Sequence, residues 1–157
     1  MKGLRKWPWN QLPDYNGFTH IERVRGWQLI MWREDNGWFE RGATCCISGQ
    51  TQQLRLHSEN YYSWEPFTLN HSIHMALHQR FNKPDAWRRI VERYSSTGEE
   101  WFATLKLQSI DLAGQLRREN GAEYADIFTR YEASDGLKVP RQQIYRINEV
   151  GMVGNEV

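Results

Sequence analysis

The chain has 157 residues, with 20 Lys and Arg against 19 Asp and Glu, so its formal net charge is +1. This length suits one domain of about 100–200 residues, and the balanced charge excludes the strongly basic composition that would by itself indicate a nucleic-acid partner. No apolar run approaches the roughly 20 residues of a membrane helix, and the basic N-terminus lacks the apolar stretch of a signal peptide, so we expect a soluble, cytoplasmic protein without a membrane partner.

The N-terminal part of the chain predicts an arm followed by a helix. Residues 1–17 are rich in aromatic and turn residues and predict an irregular arm. Thr19 and Glu22 have the spacing of a capping box, in which each side chain binds a backbone N–H of the other residue, so a helix begins here. Asn36-Gly37 predicts its end.

A β-hairpin is predicted next. Residues 44–48 and 53–57 have β-rich or alternating sequences, and Gly49 begins the turn between them. The only cysteines, Cys45 and Cys46, are adjacent. Neighbouring cysteines rarely form a disulfide with each other, and two thiolates do not complete a four-thiolate zinc site, so we expect reduced thiols within a strand.

Helices are predicted for most of the remaining chain. Residues 58–69 form a connection, and Leu69–Phe81 has helical spacing of apolar residues. This helix should pack on the hairpin, burying Ile47, Leu54, Leu56, Ile73, Leu77 and Phe81. Further helices are predicted over residues 83–94, 99–107, 111–120 and 122–133. The fold class is therefore α+β: one small, mostly helical domain over residues 1–136 with a central hairpin followed by a helix, and a flexible tail over residues 137–157.

Four of the five histidines lie within 22 residues, at positions 57, 71, 74 and 78. His74 and His78 are separated by four residues, which places both imidazoles on one face of a helix, about one turn apart. Such a pair can hold one divalent metal ion. His57 ends a predicted strand and can supply a third imidazole. The competing interpretation is a set of histidines that bind no metal.

Residues 44–82 resemble the HNH, or ββα-metal, nuclease family. The stretch Cys45-Cys46-Ile47-Ser48-Gly49 resembles the first cysteine knuckle, with Ser48 in place of the second cysteine. The strand ending at His57 resembles the strand that carries the family's functional histidine. Residues 70–78, Asn-His-Ser-Ile-His-Met-Ala-Leu-His, resemble the second knuckle and the metal-binding helix, with Asn70 and Ile73 replacing cysteines.

The resemblance implies a divalent cofactor (Mg²⁺, Mn²⁺, Ni²⁺ or Zn²⁺) bound by His57, His74 and His78, and phosphodiester hydrolysis in DNA. It implies catalytic roles for His57, Glu59 and Asn70. Ser58 stands where the family has its general base, and serine has no suitable pKa for that role. Two alternatives remain open: His57 is the base while Glu59 or His71 completes the metal site, or Glu59 activates water itself.

Basic residues follow the predicted metal-binding helix. Residues 80–93 contain five basic and two acidic side chains. Four of the basic residues are predicted to hold phosphates of the nucleic acid; these are Arg80, Lys83, Arg88 and Arg89.

The alternative function is a non-enzymatic protein-binding module from a mobile element, such as a phage inhibitor of a host nuclease or an anti-CRISPR-like inhibitor of a defence complex. Its partner would be a protein complex, since Trp and Arg are also typical of protein interfaces.

Overall fold

A computed structural model describes residues 1–141. The described residues form two compact units. The first unit comprises Met1–Glu40, Ser58–Glu65 and residues 111–141, and the second comprises Arg41–His57 and Pro66–Ile110. Residues 1–136, which the sequence predicted as one domain, are therefore divided between these two units.

In chain order the elements are α1 (His20–Asp35), β1 (Leu54–His57), β2 (Phe67–Asn70), α2 (His71–His78), α3 (Pro84–Arg93), α4 (Glu100–Ala103), α5 (Leu112–Asn120), a 3-10 turn (Ala122–Ala125) and α6 (Ile127–Asp135).

The predicted α+β class is confirmed, since an antiparallel hairpin is followed directly by a helix and the other described elements are helical. In the hairpin, Leu54 is paired with Asn70 and His57 with Phe67. Within residues 1–141 no helix has both the length and the apolar character needed to cross a bilayer.

The hairpin partner predicted from the sequence was wrong. Residues 44–48 form a tight turn instead of a strand, because Gly49 N–H donates to the Cys45 carbonyl at 2.8 Å and Cys45 N–H donates to the Gln50 carbonyl at 2.7 Å. The strand that pairs with β1 is β2, which lies in the segment predicted as a connection. The turn is held beside β2 by a bond from Cys46 N–H to the Thr68 carbonyl at 2.9 Å.

The first unit is built around α1. The predicted capping box is present: Glu22 N–H donates to Thr19 Oγ1, and Thr19 N–H donates to a Glu22 carboxylate oxygen. The helix buries Leu29 and Trp32 against α6, in a cluster that also contains Ile127, Phe128, Tyr131 and Val139.

The first residues of the predicted tail are packed against the first unit. Val139 is buried, and its backbone N–H donates to a Glu132 carboxylate oxygen at 2.8 Å. Leu137 packs on the same cluster as α1 and α6. Residues 137–139 therefore belong to the packed part of the first unit. The rest of the predicted tail, residues 142–157, lies outside the described residues.

The second unit packs the hairpin, the turn before it and α2 around one apolar cluster. Ile47, Ile73 and Leu77 are buried in it as predicted, and Leu54 packs against its edge. Leu56 and Phe81 are only half-buried. The buried members that complete the cluster are Cys45, Leu69, Trp87 and Phe102. This core fixes the strand end and the helix that carry the histidines.

Candidate metal centre

Three histidines converge in the second unit from two adjoining elements. His57 is the last residue of β1 and pairs with Phe67 at the start of β2. The helix α2 begins at the residue that follows β2 and carries His74 and His78. Since the two strands are hydrogen-bonded and α2 continues directly from β2, the hairpin and helix together place the three imidazoles in one group.

The three side chains are close enough to share one ion. Each offers one ring nitrogen, and these nitrogens all lie within 4.8 Å of one another. The Nε2 atoms of His74 and His78 are 3.0 Å apart and share a hydrogen bond in the absence of an ion. The ring centroid of His57 is 5.3 Å from that of His74 and 5.0 Å from that of His78. Among residues 1–141, this is the one such group of three or more His, Cys, Asp or Glu side chains.

The residues fit a transition-metal ion. Two nitrogens bound to one zinc ion at about 2.0–2.1 Å, with bond angles of roughly 90–110°, lie about 2.8–3.4 Å apart. The 3.0 Å between the His74 and His78 nitrogens is within this range. Three protein ligands would leave a coordination position for water or substrate, as in catalytic zinc sites.

Burial differs across the group. His57 is 1% exposed, whereas His74 and His78 are half-buried on α2. The strand thus anchors the group in the core, and the helix contributes the two rings that reach solvent. An ion held here would be accessible from the helix side.

Asn70, for which the resemblance implied catalysis, has a structural role. It is the N-cap of α2: its Oδ1 accepts the N–H of Ser72 at 3.0 Å, which satisfies one backbone donor of the first helical turn. Its Nδ2 donates to the Gln52 carbonyl at 3.1 Å. The amide therefore fixes the start of the helix that carries His74 and His78, and it holds the chain just before β1.

Glu59, the carboxylate that the resemblance implied for catalysis, belongs to the first unit. Its two carboxylate oxygens accept hydrogen bonds from Tyr15 Oη at 2.7 Å and Asn16 Nδ2 at 3.0 Å. It does not belong to the histidine group. His71, the further alternative, is exposed at the first position of α2 and is also outside that group.

The cysteine pair is reduced, as predicted, but it does not lie in a strand. The Ser48 N–H donates to Cys45 Sγ at 3.4 Å, a contact that adds to the backbone hydrogen bonds of the turn. Burial opposes ionisation of the Cys45 thiol, but hydrogen bonds from Ser48 and from backbone N–H groups outweigh it and lower the pKa of Cys45. Burial, with the nearby Cys45 and Glu99 charges, raises the pKa of Cys46 to about 12.

The four predicted phosphate-binding residues fall into two groups. Lys83, Arg88 and Arg89 are exposed on α3 and the turn before it. Arg80 is 1% exposed, and its guanidinium donates to the carbonyls of Lys106 and Leu77 at 2.8 and 3.0 Å. Because its donors are directed at backbone inside the second unit, Arg80 does not fit the predicted phosphate contact.

The sequence pointed to all three histidines of the group but not to the residue that positions His57. Phe67 is its partner across the hairpin. The available signal was the short stretch Phe67-Thr68-Leu69 after Pro66, whose β-branched and aromatic residues are typical of strands.

Comparison with protein-family models, curated proteins and solved structures gave no match for this chain.

Proposed function

We propose that the second unit is an HNH-like, metal-dependent nucleic-acid-binding module that hydrolyses phosphodiesters in DNA. The observation that carries this proposal is the grouping of His57, His74 and His78, whose ring nitrogens lie within 4.8 Å of one another. The placement of one histidine at a strand end and two on a helix supports it, because the sequence resemblance implies this placement of the ligands.

The donor set favours zinc or nickel. Imidazole nitrogen suits Zn²⁺ and Ni²⁺, whereas Mg²⁺ and Mn²⁺ prefer oxygen ligands. The group consists of three imidazoles and contains no carboxylate. A bound ion of this kind supplies a Lewis acid for a phosphoryl oxygen and lowers the pKa of water to about 7.

The protein's own contribution is to bind and position. All three imidazoles of the group are assigned to the ion, so none of them is kept as a general base. Ser58, which follows His57 in the sequence, has a hydroxyl that does not remove a proton from water near neutral pH. We therefore assign it no catalytic role. The buried strand end and the capped helix hold the ligands at fixed distances, so that little reorganisation is needed when substrate binds.

Phosphate binding is assigned to the exposed basic residues only. Lys83, Arg88 and Arg89 lie on α3 and the turn before it, and α3 packs on α2. Exposed Lys and Arg side chains position a nucleic acid through its phosphates without reading its sequence. Arg88 also pairs with Asp85, a surface ion pair of the kind that contributes little to stability and is weakened by salt.

Cleavage of supercoiled plasmid DNA with Zn²⁺, Ni²⁺, Mn²⁺ or Mg²⁺ tests the proposal. The matched variants are His78→Ala and His71→Ala, which each remove an imidazole from α2, but only His78 belongs to the group. We expect Zn²⁺ or Ni²⁺ to support nicking. Loss of His78 should lower the rate by more than about 100-fold, beyond the 10–100-fold effect typical of residues that only support metal ligands. Loss of His71 should change it less than about twofold.

Metal binding by calorimetry separates the other outcomes. Binding of Zn²⁺ that depends on His78, without cleavage under any condition, would remove hydrolysis from the proposal and keep metal-dependent DNA binding. A chain that binds neither metal nor DNA would contradict the proposal and favour the alternative, a protein-binding module.

A further inference from the structure

The N-terminal arm of the first unit presents an exposed tryptophan on an aromatic cluster. Trp9 is 57% exposed although it contacts two other indoles. Its ring centroid is 4.8 Å from that of Trp7 and 5.8 Å from that of Trp27, with interplanar angles of 75° and 74°. These edge-to-face contacts are a preferred arrangement of aromatic rings. They orient the Trp9 ring and leave more than half of the residue open to solvent.

The arm that carries Trp9 is fixed to α1 by hydrogen bonds on both sides of the cluster. Before the cluster, Gln28 Nε2 donates to the Arg5 carbonyl at 2.7 Å. After it, Leu12 N–H donates to His20 Nδ1 at 3.0 Å. Trp9 is therefore held in place before any partner arrives, which lowers the entropic cost of binding.

The net charge of this arm is positive. Residues 1–17 contain Lys2, Arg5 and Lys6 and one acidic residue, Asp14. The Arg5 guanidinium is paired with the Asp35 carboxylate. Lys6 is exposed, and it is the charged residue nearest to Trp9 along the chain.

We propose that Trp9 is a stacking platform for unpaired bases, and that the arm binds single-stranded nucleic acid with Lys6 contacting a phosphate. An exposed, oriented aromatic ring on a segment that carries exposed cations is the combination that binds single strands without sequence preference, because every base has a stacking face. A protein partner would also use tryptophan, but the cationic arm favours a polyanion. This proposal uses only first-unit residues and does not rest on the metal centre.

The test measures binding of a fluorescein-labelled oligo-dT strand by anisotropy, with EDTA present so that metal plays no part. Trp9→Ala should weaken binding by about 5- to 150-fold, the range for removal of one stacked base. Trp9→Phe, which keeps an aromatic face, should retain most of the affinity. Lys6→Gln should make the slope of log affinity against log salt shallower by about 0.7, the value for one phosphate of a single strand.

Trp38→Ala is the matched control. Trp38 is also an exposed first-unit tryptophan, 37% exposed and resting on Trp32 at 4.8 Å. The charged residues within five positions of it in the sequence are three acidic residues, Glu34, Asp35 and Glu40, and two basic residues, Arg33 and Arg41, so its surroundings lack the positive net charge of the arm. We expect this variant to bind as the wild type does. Equal affinity of wild type and Trp9→Ala, or equal weakening in Trp9→Ala and Trp38→Ala, would overturn the proposal.

A protein partner is the other named outcome. No measurable binding of wild-type protein to oligo-dT or to oligo-U would also overturn the proposal and would leave the arm as a surface for protein. Binding that depends on Trp9 and is unchanged in His78→Ala would support the proposal even if the metal centre bound nothing. The two proposals therefore fail separately.

Discussion

Arg80 and Arg88 lie eight residues apart in one basic segment, yet their side chains have different surroundings. Arg80 is 1% exposed, and its guanidinium donates to two backbone carbonyls and lies 4.3 Å from the centre of the Phe81 ring. Arg88 is exposed, and its guanidinium pairs with the Asp85 carboxylate on its own helix. A charge pattern in a sequence does not distinguish these two cases, because long basic side chains can cover apolar surface as well as bind anions.

Replacing each of the two arginines by Ala tests this difference. Arg80→Ala should lower the free energy of unfolding by about 2–4 kcal/mol, because it removes charge-assisted hydrogen bonds and the packing of a fully buried side chain. Arg88→Ala should change it by less than about 0.5 kcal/mol. Urea denaturation measures both. Similar small decreases in the two variants would contradict the structural role given to Arg80.

His20 predicts a pH-dependent contribution to stability. It is 4% exposed, and its Nδ1 accepts the N–H of Leu12. Burial, with the nearby Arg23 charge, lowers the pKa of His20 below its ordinary value. The unfolded chain therefore binds this proton more readily than the folded chain does. The contribution is fully present above about pH 6.5, the ordinary value, and it is lost as the pH falls from there through the lowered pKa.

His20→Asn isolates that contribution, because asparagine keeps a side-chain acceptor and does not titrate. Between pH 7.5 and pH 5, we expect the free energy of unfolding to fall more steeply in the wild type than in the variant. Urea denaturation at each pH provides the comparison, and the other four histidines cancel in the difference. Parallel curves would show that His20 titrates equally in the folded and unfolded chains.

At the scale of elements, the cap of α2 links stability to the metal centre. Asn70→Ala removes the acceptor for Ser72 N–H and the donor to the Gln52 carbonyl. Loss of an N-cap typically lowers the free energy of unfolding by about 1 kcal/mol. Because α2 has only eight residues, its first turn is a large part of the helix. We expect stability to fall by about 1–2 kcal/mol in urea denaturation and Zn²⁺ binding to weaken by calorimetry.

Asn70→Asp is the control for the cap. Aspartate keeps an acceptor at the helix N-terminus, where negative charge is also favourable, and it lacks only the donor to Gln52. Its stability should lie between those of Asn70→Ala and the wild type. If both variants were equally destabilised, the hydrogen bond to Gln52 would be the important one and the cap would not.

The helix α3 carries the predicted phosphate contacts. Changing both Arg88 and Arg89 to Glu should weaken DNA binding equally for all sequences, since phosphate contacts carry no base information. The slope of log affinity against log salt should become shallower by about one unit for each phosphate that is no longer bound. Arg118→Glu, an exposed charge change in the first unit, is the control and should alter neither quantity. An unchanged salt slope in the double variant would show that Arg88 and Arg89 face solvent and do not contact phosphates.

Local signals in the sequence predicted some elements and missed one. The capping box at Thr19 and the Asn36-Gly37 stop indicated α1, because both depend on contacts within a few residues. The same kind of evidence failed for residues 44–48. These residues have a β-rich composition, but hydrogen bonds within Cys45–Gly49 hold them in a turn. The strand β1 pairs with β2 instead, which begins ten residues after β1 ends. Strand propensity is easily overridden by such long-range pairing.

The candidate site was predictable only in part. His74 and His78 needed only the four-residue spacing of one helix, whereas the approach of His57 depends on the pairing of β1 with β2, which the sequence did not predict. The choice among supporting residues was not predictable, because it depends on tertiary contacts. Glu59 is bound by Tyr15 and Asn16, more than 40 positions away, and the amide of Asn70 caps a helix.

At the scale of the whole molecule, the proposed metal centre predicts that stability depends on metal concentration. Each unit has its own buried cluster, and the three histidines belong to the second. A ligand that binds only the folded state stabilises it by an amount that grows with ligand concentration, about 2.7 kcal/mol at 100 times its dissociation constant. The thermal midpoint of the wild type should therefore rise with added Zn²⁺ or Ni²⁺ and fall back when EDTA is added. A double variant, His74→Ala with His78→Ala, should show no such rise.

Hydrogen exchange then locates the effect: amides of β1 and α2 should gain protection, with α1 as the internal reference. A rise in the midpoint that persists in the double variant, or protection that appears in α1 and not in α2, would show that the ion binds elsewhere.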